Sequence, residues 1–470
     1  MNSTISKGVT PSERYLSKLC RKSFLSLWSY ANLRTDEGRK NGKGVGNELC
    51  DLLVVFGNDV VIFSDKYIKF NQSIDTNVAW IRWFKKAVQT SVRQLNGAEA
   101  WIKNHGDRIY LDPQCSLRLP IPIPNRDVLR VHRVAVALGV FQACMSYFGG
   151  NSIGSLVVNS GLQGDEHYIH PFHVGNVNPG KGFVHVFEDF TMDAVLREMD
   201  TAADFITYLA KRERLLTRDR PIIMSAGEEQ LLSIYLTKTN DQGEHDFVLP
   251  GKGEPNLISF AEGFWEEMIH NPQYLGKKKA DEVSYVWDQL IEHFIQHTGV
   301  FDESGNRKIS EPQEFERGLR VMASEPRIRR RQLARGLVEL LKNPPGRRGA
   351  TRVMYSNDFP ERAYIFLLLP FQEGGDYDEY RNRRRALLAA YCKVAKLLCT
   401  NADMITGIAM EPPDTSKTSE DMFVLDVHYW TDAMRGSRTE KVAPSRPMRS
   451  VLILIVSVPF SLGPPWDPPV

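Results

Sequence analysis

Asp51 opens one short apolar run, and the pair Asp65-Lys66 closes the next. Two acids and a lysine brought together can hold a hard divalent cation through carboxylate oxygens, activate water, and meet the charge that grows on a phosphorane. Glu48 precedes Asp51 by one helical turn if that segment is helical. Glu13, at the start of the first expected helix, could contribute one more acid. The chemistry such a group suits is phosphodiester cleavage with magnesium or manganese, Asp51 and Asp65 being the expected metal ligands.

The elements that must position these groups are legible nearby. Leu52 to Phe56 and Val60 to Phe63 are short, mostly β-branched or aromatic runs, bounded by polar or turn residues, as strands require. Gly57-Asn58-Asp59 supplies turn chemistry, so the two runs form an antiparallel hairpin. Neither run alternates with polar residues, which points to burial on both faces at the centre of a mixed sheet. Upstream, Thr10-Pro11-Ser12-Glu13 is a capping box with proline at the first helical position. Downstream, a helix is expected from about Thr76 to Leu95. Its apolar face is Trp80, Trp83, Phe84, Val88 and Leu95, with Arg82, Lys85, Lys86 and Arg93 along it. A further strand follows near Ile109 to Leu111.

This order, together with Asp51 and Lys66, resembles the PD-(D/E)xK nuclease superfamily, the fold of restriction endonucleases and Holliday-junction resolvases. The resemblance covers residues 10 to 112. The family core runs helix, hairpin, helix, strand, and its motif sets an acid on one strand and acid-x-lysine on the next. Asp51 matches the first acid and Lys66 the lysine, while acid-x-lysine spacing would put the middle acid at Ser64 and the sequence has Asp65 instead. In a regular strand Ser64 and Lys66 share a face and Asp65 points away. Either a bulge after Phe63 re-aims Asp65, or the site is degenerate and the fold serves as a non-catalytic scaffold binding nucleic acid or protein. The resemblance implies magnesium-dependent DNA cleavage in restriction, defence against foreign DNA, or repair. Lys85 and Lys86 would then flank the DNA.

Farther along, strands are expected at Val128 to Val140, Ser155 to Asn159 and Gly182 to Phe187, a helix over Phe190 to Leu216, and a short helix and a strand within Ile222 to Thr239. Gly and Pro cluster at 250–255 and again at 343–349, which divides the chain into 1–250, 251–345 and 346–470. The middle part reads as helical (Phe260 to Ile269, Val283 to His297, Phe315 to Met322, Gln332 to Leu341). The last part reads as a small α/β domain: strands at Ala363 to Leu369, Ile405 to Met410 and Met422 to Leu425, and a long helix over Tyr377 to Leu398. The fold class is α/β throughout: a restriction-endonuclease-like mixed-sheet core, a helical middle, and a small C-terminal α/β domain.

Arg327-Ile328-Arg329-Arg330-Arg331 suits sequence-independent contact with a phosphate backbone. Pairing with the acidic loop Glu373 to Glu379, or a solvated helix face, accounts for it equally well. Arg381 to Arg385 poses the same choice. His167, His170 and His173 could hold a transition metal, although Pro171 breaks the segment and the spacing does not impose convergence. His293 and His297 share a helix face but lack the His-Glu-x-x-His order.

The chain has 470 residues, 42% apolar and 25% charged, with a formal charge of +2, so an anionic partner must meet a local basic surface rather than a global field. The six cysteines lack any CxxC and suit free thiols in a reducing cytoplasm. The first residues lack a signal-peptide core, and the apolar run Val451 to Leu462 is too short to span a bilayer and contains Pro459. A cytoplasmic protein with a nucleic-acid partner, no membrane partner, and room for a homo-oligomer or protein partner is expected.

Overall fold

The computed structural model describes residues 8–39, 43–150, 153–249, 256–298, 312–343, 349–413 and 419–428. The apolar run Val451 to Leu462 and both Gly/Pro-rich linkers lie wholly or largely outside them. The chain forms two compact units, Met1–Lys279 and Ala280–Val470, and both are α/β.

In the first unit the capping box holds as expected: Thr10 Oγ1 accepts the Glu13 N–H and Glu13 Oε2 accepts the Thr10 N–H, starting α1 (Pro11–Trp28). The chain then runs through β1 (Ser29–Thr35), β2 (Asn47–Phe56) and β3 (Asp59–Tyr67), an antiparallel meander. Gly57, with φ +63°, takes the tight turn between Phe56 and Asp59. The crossover is one long helical rod, α2 (Thr76–Phe84) and α3 (Thr90–His105), joined by a π-helical turn at Lys85–Gln89. It extends ten residues past the expected end at Leu95.

The strand expected near Ile109 is β4 (Ile109–Tyr110), which sits at the sheet edge beside β1. The strand that pairs with β3 is β5 (Arg130–Leu138), parallel to it. With α4 (Phe141–Tyr147), β6 (Val157–Gln163), β7 (His173–Asn176) and β8 (Val184–Phe187), the sheet order becomes β4-β1-β2-β3-β5-β8. β2 and β3 thus lie at the centre, and their apolar runs are buried throughout, which explains the missing alternation. α1 packs on one face of β2 and β3 and α3 on the other.

The expected helix over Phe190 to Leu216 is two helices, α5 (Thr191–Glu198) and α6 (Ala202–Leu216). Thr201 breaks them because its hydroxyl caps α6 by accepting the Asp204 N–H. Next come β9 (Ile222–Ser225) and α7 (Glu228–Thr237), strand before helix. β10 (Leu257–Phe260), where only helix was expected, pairs parallel with β9 in a second mixed sheet, order β10-β9-β6-β7. α8 (Phe264–His270) and α9 (Pro272–Asp281) follow.

The second unit begins with α10 (Tyr285–Thr298), α11 (Pro312–Ala323) and α12 (Arg327–Lys342). A mixed sheet then forms from β11 (Ala350–Met354), β12 (Arg362–Leu368), β13 (Met404–Met410) and β14 (Glu420–Asp426), in that order, with α13 (Tyr377–Leu398) crossing from β12 to β13. The period-two rule divides its faces: Ile365, Ile405 and Leu425 pack with Leu388 and Cys392 of α13, whereas Tyr364 and Phe366 meet the buried Trp287 of α10. Gly407 permits the close approach of α13, since a Cβ there would stand 2.6 Å from Cys392 Sγ. All six cysteines are free thiols. No described helix is long and apolar enough to cross a membrane.

Candidate active site

At one end of the β2–β3 hairpin the backbone ladder runs out after Leu52 and Phe63. A side chain takes over from it: Asp51 Oδ2 accepts the Asp65 backbone N–H at 2.6 Å and receives the Lys66 ammonium at 3.5 Å. Asp51 is 2% exposed, while the Lys66 side chain keeps 29% of its surface open, so the lysine spans from a buried acid to solvent.

Of the two alternatives for Asp65, a bulge after Phe63 is not present. β3 pairs with β5 in unbroken register from Asp59 to Tyr67. Alternation therefore holds, and Ser64 and Asp65 face opposite ways. Ser64 Oγ bonds Gln94 Oε1 at 2.9 Å and Ser91 Oγ at 3.1 Å on the α3 face. Asp65 looks to the α1 face, where Ser12 and Glu13 are its neighbours.

The irregularity lies on β2 instead. Leu33 pairs with Cys50 but Arg34 pairs with Glu48, leaving Leu49 as an extra residue. In a regular strand residues three apart point to opposite faces; the bulge resets that count and puts Glu48 on the Asp51 side. The segment is not helical, yet Glu48 reaches Asp51 all the same. Glu48 is exposed at the strand start, but desolvation of its carboxyl, a hydrogen bond to Asp51 and that acid's charge push it up to about 7. Arg34, also on this face, favours the charged form and is a participant that sequence reading missed.

Asp65 is different in kind. It is 5% exposed, and Ser12 is the side chain placed to hydrogen-bond it. Burial first, then the charge of Asp51, raise it to about 7. Glu13 is spent on the helix start, where its Oε2 accepts the Val9 and Thr10 N–H groups. The structure thus brings Glu48, Asp51 and Lys66 together on one face and leaves Asp65 and Glu13 on the other.

Among the described residues no group of three or more His, Cys, Asp or Glu side chains stands at metal-holding distance. Glu48 and Asp51 are nevertheless oxygen donors of the type magnesium takes. That ion is commonly bound through one or two carboxylates, completing its shell with water and substrate phosphate.

The other sequence candidates settle into structural roles. Arg330 is fully buried; it bonds Asp288 and the carbonyls of Ala323 and Glu325. Arg329, 2% exposed, bonds Gln332 and lies over the Phe359 ring, and Arg331 pairs with Asp281. These three arginines are turned inward or neutralised and do not form a phosphate-binding face. Arg381, Arg384 and Arg385 converge on Asp421 of β14, with Arg384 also on Glu411 just past β13. Lys85 and Lys86 are exposed.

His167 is fully buried, with Nδ1 on the Gly164 carbonyl and Nε2 receiving the Gly175 N–H, so both ring nitrogens are taken by backbone. Burial holds it below the usual histidine range. The face Trp80, Trp83 and Phe84 is core. His293 pairs with Glu420 at 3.0 Å, and His297 Nδ1–H donates to the His293 carbonyl as an ordinary helical neighbour.

Comparison with protein-family models, with curated proteins and with solved structures gives no match to this chain.

Proposed function

We propose that the first unit is a metal-dependent nuclease of the PD-(D/E)xK type that hydrolyses DNA phosphodiester bonds. The observation that carries the reading is the contact of Asp51 with Lys66 at the open end of two central strands, with Glu48 bulged onto the same face. The element order supports it: helix, hairpin, helix, then a strand parallel to the second hairpin strand, at α1, β2–β3, α2–α3 and β5.

In this reading Glu48 and Asp51, rather than Asp51 and Asp65, hold magnesium or manganese. The bound ion would supply Lewis acidity toward the scissile phosphate and lower the pKa of a coordinated water. To hold the ion Glu48 would have to be ionised, losing the proton for which its affinity is raised. Lys66 places a positive charge beside the reacting phosphate oxygens, and its contact with Asp51 fixes where that charge stands.

A second reading, a non-catalytic scaffold, is favoured by one observation: the position where acid-x-lysine spacing sets an acid is a neutral serine locked to Gln94 and Ser91. A plasmid-nicking assay with magnesium or manganese separates the two, comparing wild type with Asp51→Ala and Lys66→Ala. Metal-dependent nicking by wild type alone supports the nuclease. If all three match a buffer control on single- and double-stranded DNA and RNA, the scaffold reading takes its place.

A further inference from the structure

The sheet end that carries Lys66 continues into an aromatic surface. Lys66 stands opposite Ala137, and the ladder runs on as the Ile68 N–H donates to the Leu138 carbonyl at 3.1 Å and the Phe70 N–H to the Gly139 carbonyl at 3.0 Å. Gly139 (φ +91°) is required at this crossing, because a Cβ would fall 2.5 Å from the Ile68 carbonyl oxygen. Four residues past Lys66, about 13 Å along an extended chain, the Phe70 ring lies 5.3 Å from that of Phe172.

Phe172 is the keystone of this surface. It is 1% exposed and held at φ +62°, a left-handed conformation that a bulky residue keeps only when its surroundings enforce it. Its ring meets the buried Trp80 at 5.3 Å and the exposed Tyr147 at 4.9 Å. Beyond it the rings open to solvent: Tyr147 is 50% exposed, Phe148, edge-on to it at 5.1 Å, is 38% exposed, and Ile169 is 73% exposed. Exposed lysines lie on the segments that carry Phe70 and Phe84. Lys85 is exposed with its ammonium 4.8 Å over the Tyr168 ring, and Tyr168 itself meets Phe84 at 6.0 Å within the same aromatic stack. Lys69 and Lys86 are exposed as well.

Exposed rings packed on a buried ring, with exposed lysines on the neighbouring segments, have the chemistry of a surface for unpaired bases: every base offers a π face, and the lysines can meet the phosphates between them. A duplex hides those base faces. We propose that Tyr147 and Phe148, with Lys69, Lys85 and Lys86, form a stacking platform for a single-stranded segment of nucleic acid. The rest of that strand then leads toward Lys66. The inference builds on the nuclease reading and names its substrate class as DNA with an unpaired stretch.

The test is binding in EDTA, where no cleavage occurs, using a fluorescein-labelled twenty-nucleotide oligothymidine and a blunt duplex of equal length. Wild type should bind the single strand at least ten-fold more tightly than the duplex. Replacing both rings (Tyr147→Ala with Phe148→Ala) should weaken single-strand binding by about 5- to 150-fold while leaving the slope of log affinity on log salt unchanged. Lys85→Gln with Lys86→Gln should instead flatten that slope by roughly 1.4. Wild-type protein irradiated with 5-iododeoxyuridine oligomers should carry adducts on Tyr147 or Phe148, a readout independent of how any variant folds. The proposal is overturned if the double ring variant binds like wild type, if duplex and single strand bind equally, if only a protein or vesicle occupies the patch, or if no adduct maps to residues 141–173. An inactive protein that still passes this test would remove the nuclease reading and keep the platform. An active one indifferent to both rings would do the reverse.

Discussion

The carboxylate of Asp51 stands in for a missing strand partner: it accepts the backbone N–H of Asp65 where the β2–β3 ladder stops, and the same oxygen faces Lys66. One side chain therefore serves both the fold and the proposed chemistry, and the two roles separate by substitution. Asp51→Asn keeps an amide oxygen for the Asp65 N–H and should retain most of the stability. Asp51→Ala leaves that N–H unpaired at a buried site and should cost about 1–3 kcal/mol. Urea denaturation should rank wild type, Asn and Ala in that order, while both variants lose cleavage. Equal stability of Asn and Ala would show that the bond contributes nothing.

Asp65 should make stability depend on pH. Its folded value of about 7 lies above its ordinary 3.8, so between these two pH values the folded state holds a proton that the unfolded state has released. The contribution of Asp65 to stability is then fully present below pH 4, falls as pH rises toward 7, and levels off above. Asp65→Asn removes this slope and should be more stable than wild type at pH 8 by roughly 1–3 kcal/mol in EDTA, with little gain at pH 4. A variant less stable than wild type at pH 8 would mean that the carboxylate has a cationic partner.

The arginines of the second unit should behave as structural groups. Arg384 has no exposed side-chain surface and bonds Asp421, Glu411 and Ser419. Arg384→Ala leaves the buried Glu411 without its cation while Asp421 keeps Arg381 and Arg385, and it should destabilise by about 3–5 kcal/mol, with a smaller loss for Arg330→Ala because Asp288 keeps Arg327. Neither should change the salt dependence of nucleic-acid binding by the folded protein. A reduced salt slope in either variant at a temperature where it remains folded would return these residues to the interface.

Glu48 offers a metal-binding prediction. Calorimetric titration with manganese should show affinity reduced ten-fold or more by Glu48→Gln and by Asp51→Asn, and near wild type for Asp65→Asn. Binding should also tighten as pH rises through 7, because the Glu48 proton must leave. Loss of binding in Asp65→Asn alone would restore the acid pair read from the sequence.

What could be read from the sequence followed from local signals. The capping box at Thr10, the tight turn at Gly57 and the unalternating runs around it each specify their element within a few residues, and Asp51 and Lys66 were found from them. The Leu49 bulge left no such mark, because it arises from the match between β1 and β2 across a loop. The helical spacing of Glu48 and Asp51 is therefore not the geometry that joins them, and nothing local in the sequence points to Arg34. The arginine runs misled for a related reason: a stretch such as Arg329-Arg330-Arg331 reads as a basic surface until Asp288 and Asp281, more than forty residues earlier, arrive to neutralise it.

The most direct measurement is single-turnover cleavage of end-labelled DNA with manganese by wild type, Glu48→Gln, Asp51→Asn, Asp65→Asn and Lys66→Ala. The account predicts metal-dependent product from wild type, retained activity in Asp65→Asn, and losses of at least a hundred-fold in the other three. Product from Lys66→Ala or Asp51→Asn at the wild-type rate, or none from wild type with either metal, would contradict it.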